Sequence, residues 1–302
     1  MKKKLLALIV VALALVAYAG GSCYLHSLKV KEERLQKEAK AWQKLEHGVL
    51  SRISLFKGEV GLAIEDLATG RKIQLNQEKP FASASMVKVP IMVTYFEAQA
   101  QGICDINKNF VLCNESKASG SGKLKDMPAG TQISPQDLVE LMISESDNTA
   151  ANMLIESFGF EYLNESFKQL GLRNTNISRK MMDFKDRKNG VENYTTAKDL
   201  ATLFKNMYFG TPAHKKIFQK CLEILKKQKI NDRIPALLPA GCIVAHKTGL
   251  EYGVCHDAGI MYTSRGNFLI CVLIKHNAST ARSSKRLIAK LAKDVYDYAM
   301  MN

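Results

Sequence analysis

The alternation of apolar and polar residues divides the chain into an apolar N-terminal run, two strand-forming regions and a long helical block between those regions. Residues 26–56 are highly charged, but their apolar positions follow the three- and four-residue spacing of an amphipathic helix. Two β-rich runs, "EVGLAIEDL" and "RKIQLN", flank a turn at residues 68–70, which predicts a β-hairpin. The apolar stripe of the helix consists of Leu35, Trp42, Leu45, Val49 and Ile53.

A second change of pattern separates the helical block from a C-terminal strand region. Within residues 83–234 the apolar spacing is helical, Ser134 and Pro135 are typical of a helix start, and several segments end on glycine. After Pro239 the period falls to two in "CIVAHKTG", "CHDAGIMYT" and "NFLICVLIK", which predicts three strands. An amphipathic helix follows from about residue 282 to 300.

These elements predict an α+β fold. Strands joined by short turns pair antiparallel, so we expect a five-stranded antiparallel sheet with the terminal helices on one face and an all-α lobe beside it. The sheet lobe would comprise residues 48–82 and 235–302, and the helical lobe residues 83–234, with a cleft between them. Together they form one predicted domain, 48–302, preceded by a helical stalk over residues 26–47.

The N-terminus has the layout of a secretory signal, with a basic start followed by an uncharged apolar run over residues 5–19. Residues 1–25 are therefore predicted to be a signal peptide or an N-terminal membrane anchor. Three outcomes stay open: cleavage at the "AYA" site of residues 17–19, lipidation at Cys23, and an uncleaved segment 5–24 that just reaches the ~20 apolar residues of a span. Each outcome exports the folded part to a periplasmic or extracellular location, and an anchored chain would contact the membrane through this segment.

The charge and the cysteines limit the classes of partner. The net charge of +14 suits nucleic acid, but the chain has no zinc-finger spacing and no RNP-like aromatic motif, so we expect no nucleic-acid partner. A lysine-rich solvated surface also suits anionic lipid or an anionic cell wall. Of seven cysteines, Cys104 and Cys113 are close enough in sequence for a disulfide after export, and free thiols are an equally open alternative. No spacing is typical of a metal site, so neither metal nor cofactor is expected.

The first candidate for chemistry is the pair Ser85 and Lys88 in "FASASMVKVPIM". At the start of a helix this spacing places both side chains on one face. A lysine desolvated by apolar neighbours has a lowered pKa and can accept the serine proton, while the helix N-terminus offers N–H groups to an oxyanion. Taken alone, the pair is read more simply as a helix cap with a nearby lysine.

Two further motifs change that interpretation. Ser146-Asp147-Asn148 lies between two predicted helices, and Lys247-Thr248-Gly249 lies at the end of a predicted strand. The three motifs follow one another at roughly sixty and roughly a hundred residues. In this order and on these elements, they resemble the signature of the serine penicillin-recognising enzymes, and S-D-N in the second position resembles class A β-lactamases. The resemblance extends over about residues 48–302.

The resemblance implies a catalytic group. Ser85 would attack the lactam carbonyl and become acylated, with Lys88 acting as the general base or assisting it. Ser146 would pass a proton to the departing ring nitrogen. Backbone N–H groups of Ser85 and Leu250 would form the oxyanion hole.

The same resemblance implies a substrate-binding group. Asn148 would hold the side-chain amide of the substrate, and Lys247 and Thr248 would bind its carboxylate, with Gly249 and Leu250 completing the strand beside it. Lys247 would also strengthen the field in the cleft. The charge is consistent with this, because a penicillin-like substrate is an anion.

The chain departs from the class A pattern in the loop "SRKMMDFKDRKNGVENYTT". Arg179 matches the family's arginine, but Met181 occupies the position of the glutamate that activates the deacylating water. Asn193 replaces the closing aspartate, so a weaker Arg–Asn contact is expected. Asp183 is the best candidate for a replacement base and Glu192 the next, while a solvated loop carboxylate is an equal alternative for Asp183.

A second departure follows the K-T-G motif. The resemblance implies an arginine at the start of the next strand, and Cys255 lies at about that position. We therefore expect this chain to lack one of the positively charged groups with which the family binds the substrate carboxylate.

Three functions are compatible with these residues. The first is a class A-like serine β-lactamase acting through an acyl-enzyme on Ser85. The second is a penicillin-binding D,D-peptidase-like hydrolase, or a slow acyl-enzyme former, that acts on cell-wall peptides. A β-lactam sensor ranks last, because only about three basic residues precede the apolar segment. The expected ligand is thus a small β-lactam or peptidoglycan peptide, and we expect a monomer.

Overall fold

The computed structural model describes residues 2–104, 108–210 and 214–301. Within the first of these ranges, the side chains of residues 2–17, 19–23 and 25 are not described. The predicted signal peptide or anchor rests on those side chains and so lies outside the described residues. Among the residues that are described, no helix is both long enough and apolar enough to cross a membrane.

Nine strands and eight α-helices are found in the described ranges. The strands are β1 Glu59–Asp66, β2 Lys72–Leu75, β3 Phe81–Ala82, β4 Phe110–Val111, β5 Gln132–Ile133, β6 Tyr194–Thr195, β7 Ile243–Glu251, β8 Val254–Thr263 and β9 Gly266–Lys275. The helices are α1 Lys2–Ser54, α2 Lys88–Ala100, α3 Pro135–Ser144, α4 Asn148–Gln169, α5 Phe184–Lys188, α6 Ala197–Phe209, α7 Lys215–Leu225 and α8 Arg282–Met301.

The main sheet has five strands in the order β2-β1-β9-β8-β7, and every neighbouring pair is antiparallel. This confirms the predicted α+β fold with its five-stranded antiparallel sheet. Strand β7 lies at the edge of the sheet, so alternate backbone N–H groups along it point away from the sheet. That free edge is where the K-T-G motif lies.

Two apolar cores flank the sheet. On one face the sheet packs against α1 and α8, and on the other face it packs against the helical lobe. Packing of α1 begins at Trp42, whose ring meets Tyr298 of α8 edge-to-face at 5.3 Å, and continues through Leu45, Val49 and Ile53. The part of α1 that packs on the sheet therefore begins before residue 48.

Capping side chains fix where the helices of the helical lobe begin. Ser134 Oγ accepts the Asp137 N–H at 3.1 Å before α3, and Thr196 Oγ1 accepts the Asp199 N–H at 3.0 Å before α6. Helix α4 is interrupted at Gly159, where φ is 76°, a left-handed value that glycine adopts without strain. The local sequence signals for these helix ends thus match the structure.

Short pairings outside the main sheet tie distant segments together. Strand β3 pairs with β6, which joins the segment before Ser85 to the end of the 178–196 loop. The second pairing joins β4 to β5. The six described cysteines are free, so the structure holds no disulfide between Cys104 and Cys113.

Candidate active site

Ser85 lies in a 3₁₀ turn, Ala84–Val87, that leads directly into α2. Ala84, the residue before it, has φ 45°, a left-handed conformation that costs a non-glycine residue free energy. Backbone bonds from Ser83 N to Asn193 O at 2.7 Å and from Met86 N to Ser83 O at 3.0 Å hold the turn in place. The side chain of Ser85 is thereby presented from a strained, well-anchored turn.

Lys88 is the first residue of α2 and is fully buried. Its Nζ donates to Ser146 O and to Asn148 Oδ1, both at 2.7 Å, and lies 3.4 Å from Ser146 Oγ. Burial lowers the pKa of Lys88 to about 7, against the opposing charge of Asp147. A large fraction of Lys88 is therefore neutral near neutral pH and able to accept a proton.

The S-D-N turn between α3 and α4 is built around Asp147, which is fully buried. Its Oδ2 accepts the N–H groups of Lys123 and Leu124 at 2.8 and 2.9 Å, and its Oδ1 caps α4 by accepting Ala150 N–H at 3.0 Å. A side chain at Gly122 would place its Cβ 2.2 Å from Asp147 Cγ, so the close approach requires glycine. Asp147 thus organises the turn that carries Ser146 and Asn148.

Ser146 has φ 56° and lies between two lysines. Lys247 Nζ donates to Ser146 Oγ at 3.0 Å, on the opposite side from Lys88. Asn148 uses both ends of its amide, because Oδ1 accepts from Lys88 and Nδ2 donates to Ser119 O at 2.9 Å. Residues of all three motifs, Lys88, Ser146 and Lys247, therefore meet at the hydroxyl group of Ser146.

Lys247 on β7 is fully buried, and its Nζ also donates to Thr248 O at 2.8 Å. The pKa of Lys247 is well below its usual value, mainly because of burial and also because of the charges of Lys88 and Arg233. The carboxylate of Asp257 acts in the opposite direction. An anion bound beside Lys247 would favour the protonated form of this lysine, so the site and an anionic ligand stabilise one another.

At Gly249 the edge strand comes close to the turn that bears Ser85. A Cβ there would lie 3.1 Å from Met86 Cγ and 3.2 Å from His256 Cδ2, so a larger residue would push the two segments apart. Leu250 follows at the outer edge of the strand with an exposed side chain. Glycine at position 249 therefore allows the edge strand to lie close to the turn that bears Ser85.

Arg233 belongs to the same region but was not identified from the sequence. It is buried, with its Nε donating to Cys255 Sγ at 3.3 Å and its Nη1 lying 3.0 Å from Asp232 Oδ1. Cys255 is the position where an arginine was expected, so a guanidinium reaches this place from another element. No spacing rule connects Arg233 with a strand some twenty residues later, which is why the sequence pattern did not reveal it.

The two histidines beside the third motif are packed within the protein. His246 Nδ1 lies 2.9 Å from Asp257 Oδ1, and His256 Nε2 bonds Ala82 O at 2.8 Å. Burial lowers the pKa of His256 to about 4, so it is neutral near pH 7. Among the described residues, no group of three or more metal-binding side chains is assembled.

The loop after the helical lobe corrects one expectation. Arg179 does not pair with Asn193 through its guanidinium, which instead contacts Glu192 at 2.7 Å and Glu251 at 3.1 Å. Asn193 holds the backbone, accepting from Ser178 N and Arg179 N and donating to Arg179 O. The expected Arg–Asn contact is therefore made through the backbone of Arg179 and not through its side chain, because two nearby carboxylates outcompete a neutral amide for a buried guanidinium.

The same loop places no free carboxylate at the position of Met181. Met181 is buried, and Asn152 clamps its backbone through Oδ1 to the N–H at 2.8 Å and through Nδ2 to the carbonyl at 3.2 Å. Asp183 Oδ1 instead caps α5, accepting the N–H groups of Lys185 and Asp186 at 3.1 and 3.0 Å. A role for Asp183 as a base stays a prediction, and it requires the carboxylate to leave these amides.

A family model described as the β-lactamase enzyme family matches residues 40–299. The extended-spectrum β-lactamase PER-1 of Pseudomonas aeruginosa is 25% identical over 262 residues, which cover 81% of this chain and 83% of the relative. β-Lactamase VEB-1 of the same organism is 22% identical over 254 residues, with 79% and 85% covered.

Solved structures give the same result. A β-lactamase from Sphaerobacter thermophilus superposes with a TM-score of 0.78 at 29% identity, covering 86% of this chain and 98% of that one. The structure of PBP-A gives a TM-score of 0.79 at 28% identity, covering 86% and 97%. With the family model matching most of its length and the three motifs meeting at one cleft, this chain belongs to the β-lactamase enzyme family.

Proposed function

We propose that this protein is a serine β-lactamase that opens the β-lactam ring through an acyl-enzyme on Ser85. The observation that carries the proposal is the meeting of Lys88 and Lys247 on the Ser146 hydroxyl, next to the turn that bears Ser85. A nucleophile, a base with a lowered pKa and a proton donor for the leaving group are thus present in one cleft.

In the acylation step, neutral Lys88 takes the Ser85 proton as Oγ attacks the lactam carbonyl. The developing oxyanion is held by the backbone N–H groups of Ser85 and of Leu250 on the edge strand. The C–N bond then breaks, and the ring nitrogen takes its proton from Ser146, whose hydroxyl lies 3.4 Å from Lys88 Nζ and 3.0 Å from Lys247 Nζ. The proton lost by Ser85 is therefore returned to the leaving nitrogen along this chain of groups.

The substrate is held by charge and by the strand edge. Lys247 and Thr248 bind the carboxylate, Gly249 lets the strand approach closely, and Asn148 takes the side-chain amide. Arg233 adds a positive charge near Lys247, and the field of its guanidinium lowers the pKa of that lysine. This charge supports an anionic substrate such as a β-lactam.

The second candidate function is a slow acyl-enzyme former or D,D-peptidase-like hydrolase acting on peptidoglycan peptides. One observation favours it: Met181 occupies the expected position of the water-activating base, and Asp183 is engaged in capping α5. The residues of this cleft therefore support acylation of Ser85 better than hydrolysis of the acyl-enzyme. One of the solved structures to which the chain is similar is described as an acyl-enzyme complex of a PBP-A mutant with penicillin G.

Intact-protein mass spectrometry after mixing with benzylpenicillin tests the first proposal. We expect a mass increase of one penicillin on the full-length chain, absent in Ser85→Ala, followed by decay of the adduct and steady hydrolysis of nitrocefin. Absence of any adduct on the wild-type protein would refute acylation at Ser85. An adduct that persists for hours, with a nitrocefin burst and no steady rate, would select the second candidate.

Release of D-alanine from a pentapeptide ending in D-Ala-D-Ala separates the peptidase from a mere slow acyl-enzyme former. The D,D-peptidase predicts release that Ser85→Ala abolishes. If no D-alanine is released by wild-type protein that forms the penicillin adduct, the peptidase activity is excluded.

We also propose that the chain is exported and is held at the membrane by residues 1–25, with the hydrolase domain outside the cytoplasm. The basic start and the apolar run support export. The proposed domain keeps the sheet lobe of 48–82 and 235–302 and the helical lobe of 83–234, and it acts as a monomer. Fractionation of cells, N-terminal sequencing and light scattering of the purified protein test these points, and a cytoplasmic full-length chain would contradict export.

A further inference from the structure

A cavity of about 540 Å³ lies beside the outer end of β7, separate from the S-D-N turn. Leu250, Tyr252 and Gly253 line it on the strand side, and the first residues of α8 line it on the other side. The cavity therefore adjoins the proposed active site at Leu250 without including Ser85, Lys88 or Lys247 among its lining residues.

The N-terminus of α8 opens into this cavity, and no side chain in the described part of the chain caps it. Lys285 N donates to Ala281 O at 2.9 Å, so Ala281 is the N-cap residue, and alanine has no side-chain acceptor. The N–H groups of residues 282–284 are thus left without an intrahelical partner. Helix α8 has 20 residues, and aligned peptide dipoles give such an end a partial positive charge.

The charges in the first turn of α8 oppose the helix dipole. The turn contains no acidic residue, and Arg282 and Lys285 both line the cavity. Cations at a helix N-terminus are unfavourable unless an anion compensates them. Within the described residues Arg282 forms no ion pair, whereas Lys285 Nζ meets Asp232 Oδ2 at 2.6 Å.

The acidic residues that line the cavity are already neutralised. Asp232 lies between Lys285 and Arg233, and the second acid, Glu251, is bound by Arg179 and Arg187 at 3.1 and 2.8 Å. The surplus charge in the cavity is therefore positive.

His276 gives an independent observation that points to a ligand in this cavity. It is 6% exposed, it lines the cavity, and neither Nδ1 nor Nε2 has a hydrogen-bond partner among the residues that the structure describes. Its backbone N–H donates to Gly253 O at 2.8 Å, which holds the backbone of residue 276 beside the cavity. A buried imidazole without a partner costs about 1–3 kcal/mol for each unsatisfied polar group, and a bound acceptor would remove part of that cost.

We propose that this cavity binds a small oxyanion through the N–H groups at the start of α8, the Arg282 guanidinium and an N–H of His276. The oxyanion is distinct from the substrate carboxylate at Lys247 and Thr248. Two sources have the required chemistry: a free anion such as phosphate, and a second carboxylate carried by the substrate that enters the adjoining cleft. Helix N-termini combined with basic side chains are established anion sites in proteins.

Titration calorimetry with inorganic phosphate, at constant ionic strength, tests the site on the full-length protein in neutral detergent. We expect one phosphate per chain. The affinity should fall by about tenfold or more in Arg282→Glu, because the substitution replaces a positive charge beside the anion with a negative one. Arg286→Glu is the matched control: it makes the same charge change in an exposed residue of α8 that does not line the cavity. Its affinity should stay within about twofold of wild type.

His276→Leu separates a binding role from a packing role. Replacing an unpartnered buried polar group with an apolar one is neutral or stabilising for the fold, so the melting temperature should not fall. The proposal expects weaker phosphate binding in this variant. Absence of phosphate binding to the wild type, or an equal loss in Arg282→Glu and Arg286→Glu, would overturn the proposal.

The source of the oxyanion is distinguished with carbenicillin and benzylpenicillin, which differ by one carboxylate on the acyl side chain. If the substrate supplies the anion, phosphate and Arg282→Glu will both slow acylation of Ser85 by carbenicillin and leave benzylpenicillin unchanged. If a free anion is the ligand, neither compound will respond to phosphate. Only this comparison rests on acylation of Ser85, and the phosphate titration stands if acylation fails.

Discussion

Lys88 illustrates how burial prepares a single side chain for proton transfer. Its pKa is lowered to about 7 because the fully buried ammonium group loses hydration. Below that pH Lys88 is charged and cannot accept the Ser85 proton, and above it the neutral amine can. We therefore expect the acylation rate constant for benzylpenicillin to rise with pH up to about 7 and then level off, measured by stopped-flow quenching between pH 5 and 9. A flat profile, or an inflection that persists in Lys88→Ala, would contradict this assignment.

We propose that Met181, at the position where the resemblance implies a glutamate, makes hydrolysis of the acyl-enzyme slow. Its thioether sulfur is too weakly basic to accept a proton from water. Its backbone is held by two hydrogen bonds with the side chain of Asn152. We expect Met181→Glu to shorten the lifetime of the acyl-enzyme by about tenfold or more, because a general base contributes about 10²–10⁴-fold when well placed. The lifetime is measured by mass spectrometry after excess penicillin is removed. Met181→Gln has the same shape without the charge, and an equal effect in both variants would show that only packing had changed.

Asp183 can act as a helix cap or as a base, and one pair of substitutions distinguishes these roles. Asparagine caps a helix about as well as aspartate but cannot accept a proton from water. Because Asp183 Oδ1 accepts two N–H groups of α5, we expect Asp183→Asn to leave the acyl-enzyme lifetime within about twofold. Asp183→Ala should lower the stability by about 1 kcal/mol. A much longer acyl-enzyme lifetime in Asp183→Asn would instead identify Asp183 as the base.

The elements that the sequence predicted well are those with long periodic patterns. The main strands, α2 to α4, α6 and α8 follow from their spacing and caps, because those signals are local. The two-residue strands β3 and β6 were missed, since a pair of residues has no period. The partners of Arg179 were also missed, because Glu251 lies on a strand far away in the chain and only the fold brings it near.

A carboxylate of β7 ties the 178–196 loop to the edge strand. Glu251 bonds both Arg179 and Arg187, and the guanidinium of Arg179 is only 2% exposed. Without the Glu251 carboxylate, Arg179 and Arg187 share the single carboxylate of Glu192. We expect Glu251→Gln to destabilise the protein by about 1.5–3 kcal/mol, since charge-assisted hydrogen bonds are lost, and to speed hydrogen exchange in residues 178–196.

The exposed pair of Glu78 and Lys198 provides the control for that experiment. It has the same 2.6–2.8 Å geometry, but both side chains are more than half exposed. Glu78→Gln should therefore change neither the melting temperature nor hydrogen exchange in the loop, because solvent screens such pairs. Equal effects of the two substitutions would mean that the loop is not held by Glu251.

On the scale of the whole molecule, the three motifs come from three separate parts of the chain. Ser85 and Lys88 start the helical lobe, Ser146 lies inside it, and Lys247 belongs to the sheet lobe. The sequence could predict that these motifs meet, because their order and spacing resemble a known family. It could not predict Arg233, Asn152 or the unpartnered His276, whose roles depend on contacts between distant segments.

Helices α1 and α8 cover one face of the sheet. We therefore expect the packing of α1 to determine where an independently folding domain begins. Trp42 and Leu45 pack with Val49 and Ile53 in the core on the α8 face, and each buried apolar side chain contributes about 1.5–3 kcal/mol. The combined contribution of the four side chains is therefore comparable with a typical free energy of unfolding of about 5–15 kcal/mol. We therefore expect a chain starting at residue 40 to melt at the temperature of the full-length protein.

A chain starting at residue 48 loses Trp42 and Leu45 and should melt lower. A chain starting at residue 55 lacks all four side chains and should not fold or be labelled at Ser85 by a fluorescent penicillin. Thermal unfolding followed by circular dichroism gives this order. Equal melting of the chains starting at 40 and 48 would place the boundary at residue 48, where the sequence pattern alone predicts it, and would show that the contact of Trp42 with Tyr298 adds nothing to the fold.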